Sequence, residues 1–539
     1  MSDSKEAQSE LFAELASPKE RKRRDSSGAA RFKEYGADRY QRGLFATNIF
    51  DHLPAEHDCY LFDDLISQLD TQEAEKHFSA IGQRAYAPKQ LIAILIYAYS
   101  RGVFSSRQIE QRCREDLGFM YIAGSNVPNF RVLSDFRKEH QEQLHSCFVQ
   151  TVKLALELKL VNLAHISLDG SKFKANSSKH KAMSYAGLKA REQALGEEIE
   201  SLVAQASRAD EEENQQYLER TGYELPEDLK FKQQRLEKIQ AAKQALEERE
   251  KRRSPDKEID GKKQISFADH DANLMGKKGH VDYAYNAQIS ADSKSQIVVG
   301  QHLSDRANDY GEVATALDEL ESTCGELPQK ISMDNGYYSG ANLAELEKRD
   351  VEAYVATSRE DKRGLESLED STRAVVKADF QYNEQNDNFK CPTGQILTFE
   401  GARQSGDTIR YRYQAPDAAC AQCPLKTRCC HSQKRKGRTI ATDQHEVERR
   451  RMVELMEKDE SREIYDKRKV MVEPVFGQIK NTGFRGFSVR GAVRVAGEFS
   501  LVTLTHNLKK MVGAARRDSS IKTIENGSQH RCKSQNRLK

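Results

Sequence analysis

The stretch His165-Ile166-Ser167-Leu168-Asp169-Gly170-Ser171-Lys172-Phe173-Lys174-Ala175-Asn176 decides the fold. Ile166 and Leu168 alternate with polar neighbours up to Asp-Gly, which predicts a short strand over 165–169 that closes on a turn. The continuation is helical. From about 188 to 217, and again from 229 to 253, the chain is rich in Glu, Lys, Gln and Ala, with apolar residues at helical spacing (Leu195, Ile199, Leu202; Leu236, Ile239, Leu246). Thr221-Gly222 and Pro226 interrupt it, so a helical hairpin is inserted directly after the first strand. Strands resume over 281–289 and 296–303. A helix over 309–320, a strand over 330–333 ending at Asp334, a helix over 341–349 and a strand over 352–356 follow. Strands interleaved with helices around one insertion predict an α/β fold with a mixed sheet.

Upstream, 46–160 reads as helical. Leu61, Leu65 and Leu69 recur every four residues, and Leu91, Ile92, Leu95, Ile96 and Tyr99 form a stripe behind Pro88, a good first-turn residue. Ser105-Ser106 heads a short helix, and a longer one starts near Pro128. Short helices joined by small-residue turns fit a helix-turn-helix-like bundle. Downstream, 360–440 is polar and holds cysteines, and 441–512 is helical again. Segment boundaries fall at 1–45 (polar basic tail), 46–160, 161–186 and 261–359 (the two parts of the α/β core), 187–260 (the hairpin), 360–440, 441–512 and 513–539 (a second basic tail).

With 539 residues and 37% hydrophobic content the chain buries a core without staples. Its 85 Lys and Arg against 83 Asp and Glu leave a net charge of +2. The distribution is uneven: residues 474–497 carry Lys480, Arg485, Arg490 and Arg494 and no acid. Basic stretches in a neutral chain predict a local face for a polyanion. The longest apolar run, 91–99, is too short to span a bilayer, which takes about 20 residues, so no membrane role is expected. The start MSDSKEAQSE lacks an apolar signal core, so the expected location is the cytoplasm. The phosphate-binding G-x-x-x-x-G-K-[ST] loop and the G-x-S-x-G elbow are absent.

Asp169 and Asp334 each end a predicted strand, where ligands of α/β sheets gather. Glu473 stands in an otherwise apolar helical segment, Val470 to Lys480. Three converging carboxylates repel one another unless a cation neutralises them, and hard oxygen ligands select Mg²⁺ or Mn²⁺. Two such ions suit in-line phosphoryl transfer.

These segments carry a resemblance. Asp169 to Asn176, Tyr285-Asn286-Ala287-Gln288, Asp292-Ser293-Lys294, Asp334-Asn335-Gly336-Tyr337-Tyr338-Ser339 and Val472 to Lys480 resemble the DDE transposases of bacterial insertion sequences. The likeness is to the branch with a helical N-terminal domain, a hairpin insertion and a late Cys-rich insertion, and it covers about 45–512 in order. It implies an RNase H-like core with Asp169, Asp334 and Glu473 as the catalytic triad holding Mg²⁺ or Mn²⁺. It further implies that 46–160 binds DNA, that element ends and target DNA are the partners, and that a homodimer forms in the synaptic complex. The expected activity is metal-dependent DNA cleavage and strand transfer, by an enzyme that joins the nucleoid when acting. The alternatives are a catalytically silent transposase-derived DNA-binding protein or a nuclease without joining activity.

Relatives carry Tyr-x2-Arg-x3-Glu-x6-Lys around the catalytic Glu. Here four residues separate Arg468 from Glu473, which on a continuous helix turns Arg468 about 140° away, whereas Lys480 shares the Glu473 face. Pro474 would kink or start the helix and restore Arg468's aim. Lys480, Arg485, Arg490 and Arg468 are the expected DNA contacts.

Cys391, Cys420, Cys423 and Cys429 contain one C-x2-C pair, enough for a tetrahedral structural Zn²⁺ site, with Cys430 competing as fourth ligand. Reduced structural thiols are the other reading. Cys59, Cys113, Cys147 and Cys324 fall on apolar helical stretches and are expected in the core.

Overall fold

The computed structural model describes residues 49–76, 85–178, 182–214, 227–254, 257–277, 280–358, 361, 373–405, 408–430 and 437–517. The tail expected over 1–45, the turn of the hairpin and residues 518–539 lie outside the described residues, whereas 513–517, expected to open the second tail over 513–539, continue the helix Ala492–Arg517. The chain divides after His52 into two compact units. Of the first, the described part is the 3-10 turn Ile49–His52.

The second unit starts with helices Asp58–Ser67, Pro88–Ser100, Ser106–Glu115, Phe130–Glu139 and Gln141–Glu157, with shorter turns between them. Pro88 occupies the first turn of its helix, as expected. That helix is buried on all sides from Leu91 to Tyr99, which marks it as central instead of one-faced. Asn129, not Pro128, caps the fourth helix, accepting from the Arg131 and Val132 amides at 3.0 Å each.

Next comes β1 (His165–Lys174), then β2 (Ala182–Ser184), helices Tyr185–Asn214 and Glu227–Arg253, β3 (Gln264–Ser266), β4 (Asn273–Lys277), β5 (His280–Asp292) and β6 (Val298–Ser304). The two long helices run antiparallel, as Tyr185 to Glu247 and Lys243 to Glu192 contacts show. Helix Val313–Cys324, β7 (Lys330–Met333), helix Gly340–Lys348 and β8 (Glu352–Val355) complete the sheet. Its order is β4-β5-β1-β7-β8, with β6 also on β5. β1 pairs antiparallel with β5 and parallel with β7, so the sheet is mixed and β1 is central to it. This is an all-α N-terminal region joined to an RNase H-like α/β core.

Two corrections concern strands. β1 continues five residues past Asp169 because Gly170 to Lys174 stay paired with β5, so Asp169 is mid-strand. Within the polar stretch over 360–440 the sequence reading named no strands. From 381 to 443 it folds as β9 (Gln381–Asn383), β10 (Asn388–Lys390), β11 (Ile396–Ser405), β12 (Thr408–Gln414) and β13 (Thr439–Asp443), a five-stranded antiparallel sheet. Its core is small (Phe380, Phe389, Leu397, Tyr413, Ile440), and the many polar residues cover its other face. The final part, read as helical over 441–512, breaks into Glu446–Glu457, Asp459–Asp466, Arg468–Met471, Glu473–Asn481 and Ala492–Arg517. The last of these is buried along most of its length. It packs on β6, Gln141–Glu157 and Pro88–Ser100, so the N-terminal helices and the sheet share one hydrophobic core.

Candidate active site

Register brings the two aspartates together. The parallel pairing of β1 with β7 ends at Leu168 opposite Met333, and Asp169 and Asp334 are the next residue of each chain. Each carboxylate accepts a local amide: Asp169 from Gly170 at 2.9 Å and Asp334 from Gly336 at 2.7 Å. Burial pushes the Asp169 carboxyl up to about 6; Arg468 opposes this, and the negative charges of Asp334 and Asp309 reinforce it.

Period-two geometry puts Asp169, Ser171 and Phe173 on one face of β1, and helix Glu473–Asn481 lies over that face. Pro474 sits in its first turn, so it starts a helix; the preceding turn Arg468–Met471 is a separate element. The break at Val472 gives Arg468 the aim that a continuous helix would deny it. Its guanidinium stands 3.2 Å from Asp169 and 3.3 Å from Glu473. The Arg468 side chain is 11% exposed against 49% for Glu473, so the arginine is turned inward onto the carboxylates. Lys480 Nζ donates to Ser171 Oγ at 2.6 Å and lies 5.3 Å over the Phe173 ring. Burial lowers its pKa, against the pull of Asp169.

The basic segment after this helix is pinned to the end of β1. Lys174 N donates to Arg485 O at 3.3 Å, and Phe487 N donates to Lys174 O at 2.9 Å. Arg485 and Arg490 are exposed, and with Lys174 they line an open cleft. Phe484 and Phe487 are core residues, 2% and 5% exposed, packed on Phe173.

Asp169, Asp334 and Glu473 offer the hard oxygen donors a divalent cation requires. With Arg468 between Asp169 and Glu473, however, no three His, Cys, Asp or Glu side chains among the described residues stand ready to hold a metal ion. The same statement applies to the cysteines. Thr393 Oγ1 lies 3.1 Å from Cys391 and 3.9 Å from Cys423, so the thiols gather without ligating geometry. Burial pushes the Cys429 thiol up to about 11. A zinc site is therefore not supported. Cys59, Cys113 and Cys147 are buried, as expected of core residues.

The sequence reading quoted Asn286 and Gln288 within the resemblance and Asp309 as a helix start, but gave none of the three a role. Asn286 and Gln288, both buried, are polar at alternate positions of an otherwise apolar stretch of β5. They point at Asp309, expected at the start of a helix that in fact begins at Val313. Two buried amides at strand spacing were the available signal.

A helical region on a mixed sheet, with Asp169 and Asp334 side by side where its central parallel pair ends, defines the class: an α/β protein with an RNase H-like core. Two family models match the chain, one described as Transposase domain (DUF772) over residues 47–139 and one as Transposase DDE domain over residues 390–512. They support a DDE transposase of insertion sequences. The second match includes Glu473 and Lys480. No curated protein and no solved structure matches the chain. Among the described residues, no helix is long and apolar enough to cross a membrane.

Proposed function

We propose that the protein binds the ends of an insertion sequence and carries out metal-dependent DNA cleavage and strand transfer through Asp169, Asp334 and Glu473. The observation that carries this is the single guanidinium of Arg468 lying within 3.3 Å of both Asp169 and Glu473, with Asp334 one register step from Asp169. Mg²⁺ or Mn²⁺ held by these carboxylates would supply Lewis-acid activation of the nucleophile and charge stabilisation at the leaving oxygen. Arg468 keeps Asp169 and Glu473 at a fixed separation. Lys480, on the same face as Asp169, orients the scissile phosphate, and Arg485 and Arg490 hold the flanking backbone.

In the first step a water oxygen bonds to phosphorus as the P–O3′ bond breaks, leaving a 3′-hydroxyl and a 5′-phosphate. In the second that 3′-oxygen bonds to a target phosphorus as the target's own P–O3′ bond breaks, so no ATP is consumed. The partners are double-stranded element ends and target DNA, brought together by two copies of the chain at the nucleoid in the cytoplasm. The test is cleavage and joining of cloned element ends with Mg²⁺ or Mn²⁺. Wild type should release 3′-hydroxyl ends and join them, and Asp169→Asn should do neither; equal cleavage by the variant overturns the reading.

A further inference from the structure

Val472 alone separates the turn Arg468–Met471 from helix Glu473–Asn481. In an unbroken helix the carbonyl of Val470 would accept from the amide four residues on, but that residue is Pro474, which has no N–H. The carbonyl is nevertheless satisfied, because Gln296 Nε2 donates to Val470 O at 2.7 Å. A side chain 174 residues earlier in the chain thus stands in for the missing backbone donor.

Gln296 reaches this place from the turn between β5 and β6, and the rest of the residue is also engaged. Its Oε1 accepts from Gln478 Nε2 at 3.0 Å and from Lys510 Nζ at 2.6 Å, and its backbone carbonyl accepts from the buried His506 Nε2 at 2.9 Å. One residue therefore joins the carbonyl before the break, the helix after it and the last helix, Ala492–Arg517. It does so at a cost to its backbone. Its φ is +61°, the left-handed region that disfavours a side chain such as Gln. Buried Asp292 holds the turn, accepting from the Lys294 and Ser295 amides at 2.8 and 3.3 Å. A residue kept in that region is over-determined by its surroundings, and such positions gather at functional sites.

We infer that Gln296 is a positioning residue for the active site: by capping the carbonyl that Pro474 leaves open, it holds the break at Val472 and so sets Arg468 between Asp169 and Glu473. The inference rests on the reading of Asp169, Asp334 and Glu473 given above. The bonds of Gln296 grip both sides of the break, at Val470, two residues after Arg468, and at Gln478, five residues after Glu473. Without them the Val470 carbonyl turns to water, and the angle between turn and helix, on which the contacts of Arg468 with both carboxylates depend, is released.

The test compares full-length wild type, Gln296→Glu and Gln296→Gly, with Asp169→Asn as control. Gln296→Glu keeps the acceptor for Gln478 and Lys510 and removes only the donor to Val470 O. Gln296→Gly relieves the backbone and removes every side-chain bond; if it does not fold, Gln296→Glu decides. In metal-free protein, hydrogen exchange over 468–478 should be several-fold faster in the variants, with β1 and β7 exchanging as in wild type. Both variants should bind cloned element ends with wild-type affinity and cleave them, at saturating protein with Mg²⁺, about tenfold more slowly. Wild-type exchange over 468–478, exchange that quickens throughout the sheet, or a wild-type cleavage rate overturns the inference; with Asp169→Asn inactive, the active-site reading stands. No cleavage by wild type, or equal cleavage by Asp169→Asn, overturns both.

Discussion

Replacing Glu498 with Leu should destabilise the protein by about 4–6 kcal/mol and detach the basic segment from its support. Glu498 is fully buried in the last helix. Its carboxylate accepts from the Tyr99 hydroxyl at 2.6 Å, the Ser488 hydroxyl at 2.6 Å and the Ser488 and Val489 amides at 2.7 and 3.2 Å. The guanidinium of Arg137, 5% exposed, lies 3.7 Å away and also donates to Tyr99, Phe104 O and Ser106, each at 2.8 Å. Removing one member of a buried pair costs about 3–5 kcal/mol, because the other charge stays buried without its partner. The orphaned amide of buried Val489 adds about 1 kcal/mol or more. Arg137→Met should cost less, about 3 kcal/mol, since Glu498 keeps four donors. The double variant leaves no buried charge and should fall short of the sum by about 2 kcal/mol. At about 2 °C per kcal/mol for a long chain, calorimetry should show Glu498→Leu melting roughly 10 °C early. A shift under about 2 °C, or strict additivity in the double variant, refutes the argument. The contact matters to function because Ser488 and Val489 carry the loop of Arg485 and Arg490, while Tyr99 and Arg137 belong to the N-terminal helices.

Binding to DNA should weaken steeply with salt, and Lys480→Ala, Arg485→Ala and Arg490→Ala together should flatten the slope by up to about 0.9 per lost phosphate contact, alike on specific and random duplexes; an unchanged slope removes this segment from the backbone clamp. His506 is buried against Gln296 O, and burial holds its pKa near 4, below its ordinary value. The unfolded chain therefore binds the proton first as pH falls. Stability should decline between about pH 6.5 and 4 by up to about 3 kcal/mol, and urea midpoints of His506→Gln should lose that part of the pH dependence. Elemental analysis of the purified protein should find no stoichiometric zinc, with Cys423→Ser melting like wild type; one Zn²⁺ per chain lost on that substitution would reinstate the metal.

Much of the fold was legible because its signals are local. Alternation in β5, the Pro88 start and the long charged helices each need only neighbouring residues. The small sheet over 381–443 was not, because its core is a handful of apolar residues spread among polar ones, and pairing partners such as Tyr413 and Ile440 are far apart in sequence. The helix break at Val472 was legible only as a consequence of Pro474, and its outcome, Arg468 turned onto two carboxylates, depends on where β1 lies.

The sequence by itself determined the residue types of the centre: three acids, each in a segment whose pattern marked it, and a basic run behind the third. Tertiary structure decided their partners. Asp169 meets Asp334 because parallel pairing ends one residue earlier, and Asp309 takes its place because Asn286 and Gln288 of the neighbouring strand donate to it. Gly170, which read as a turn residue, lies inside β1, where a Cβ would collide with Gln288 and Asp309. Strand register and close approach are long-range quantities, set by which backbones pair, and no local pattern in the chain encodes them.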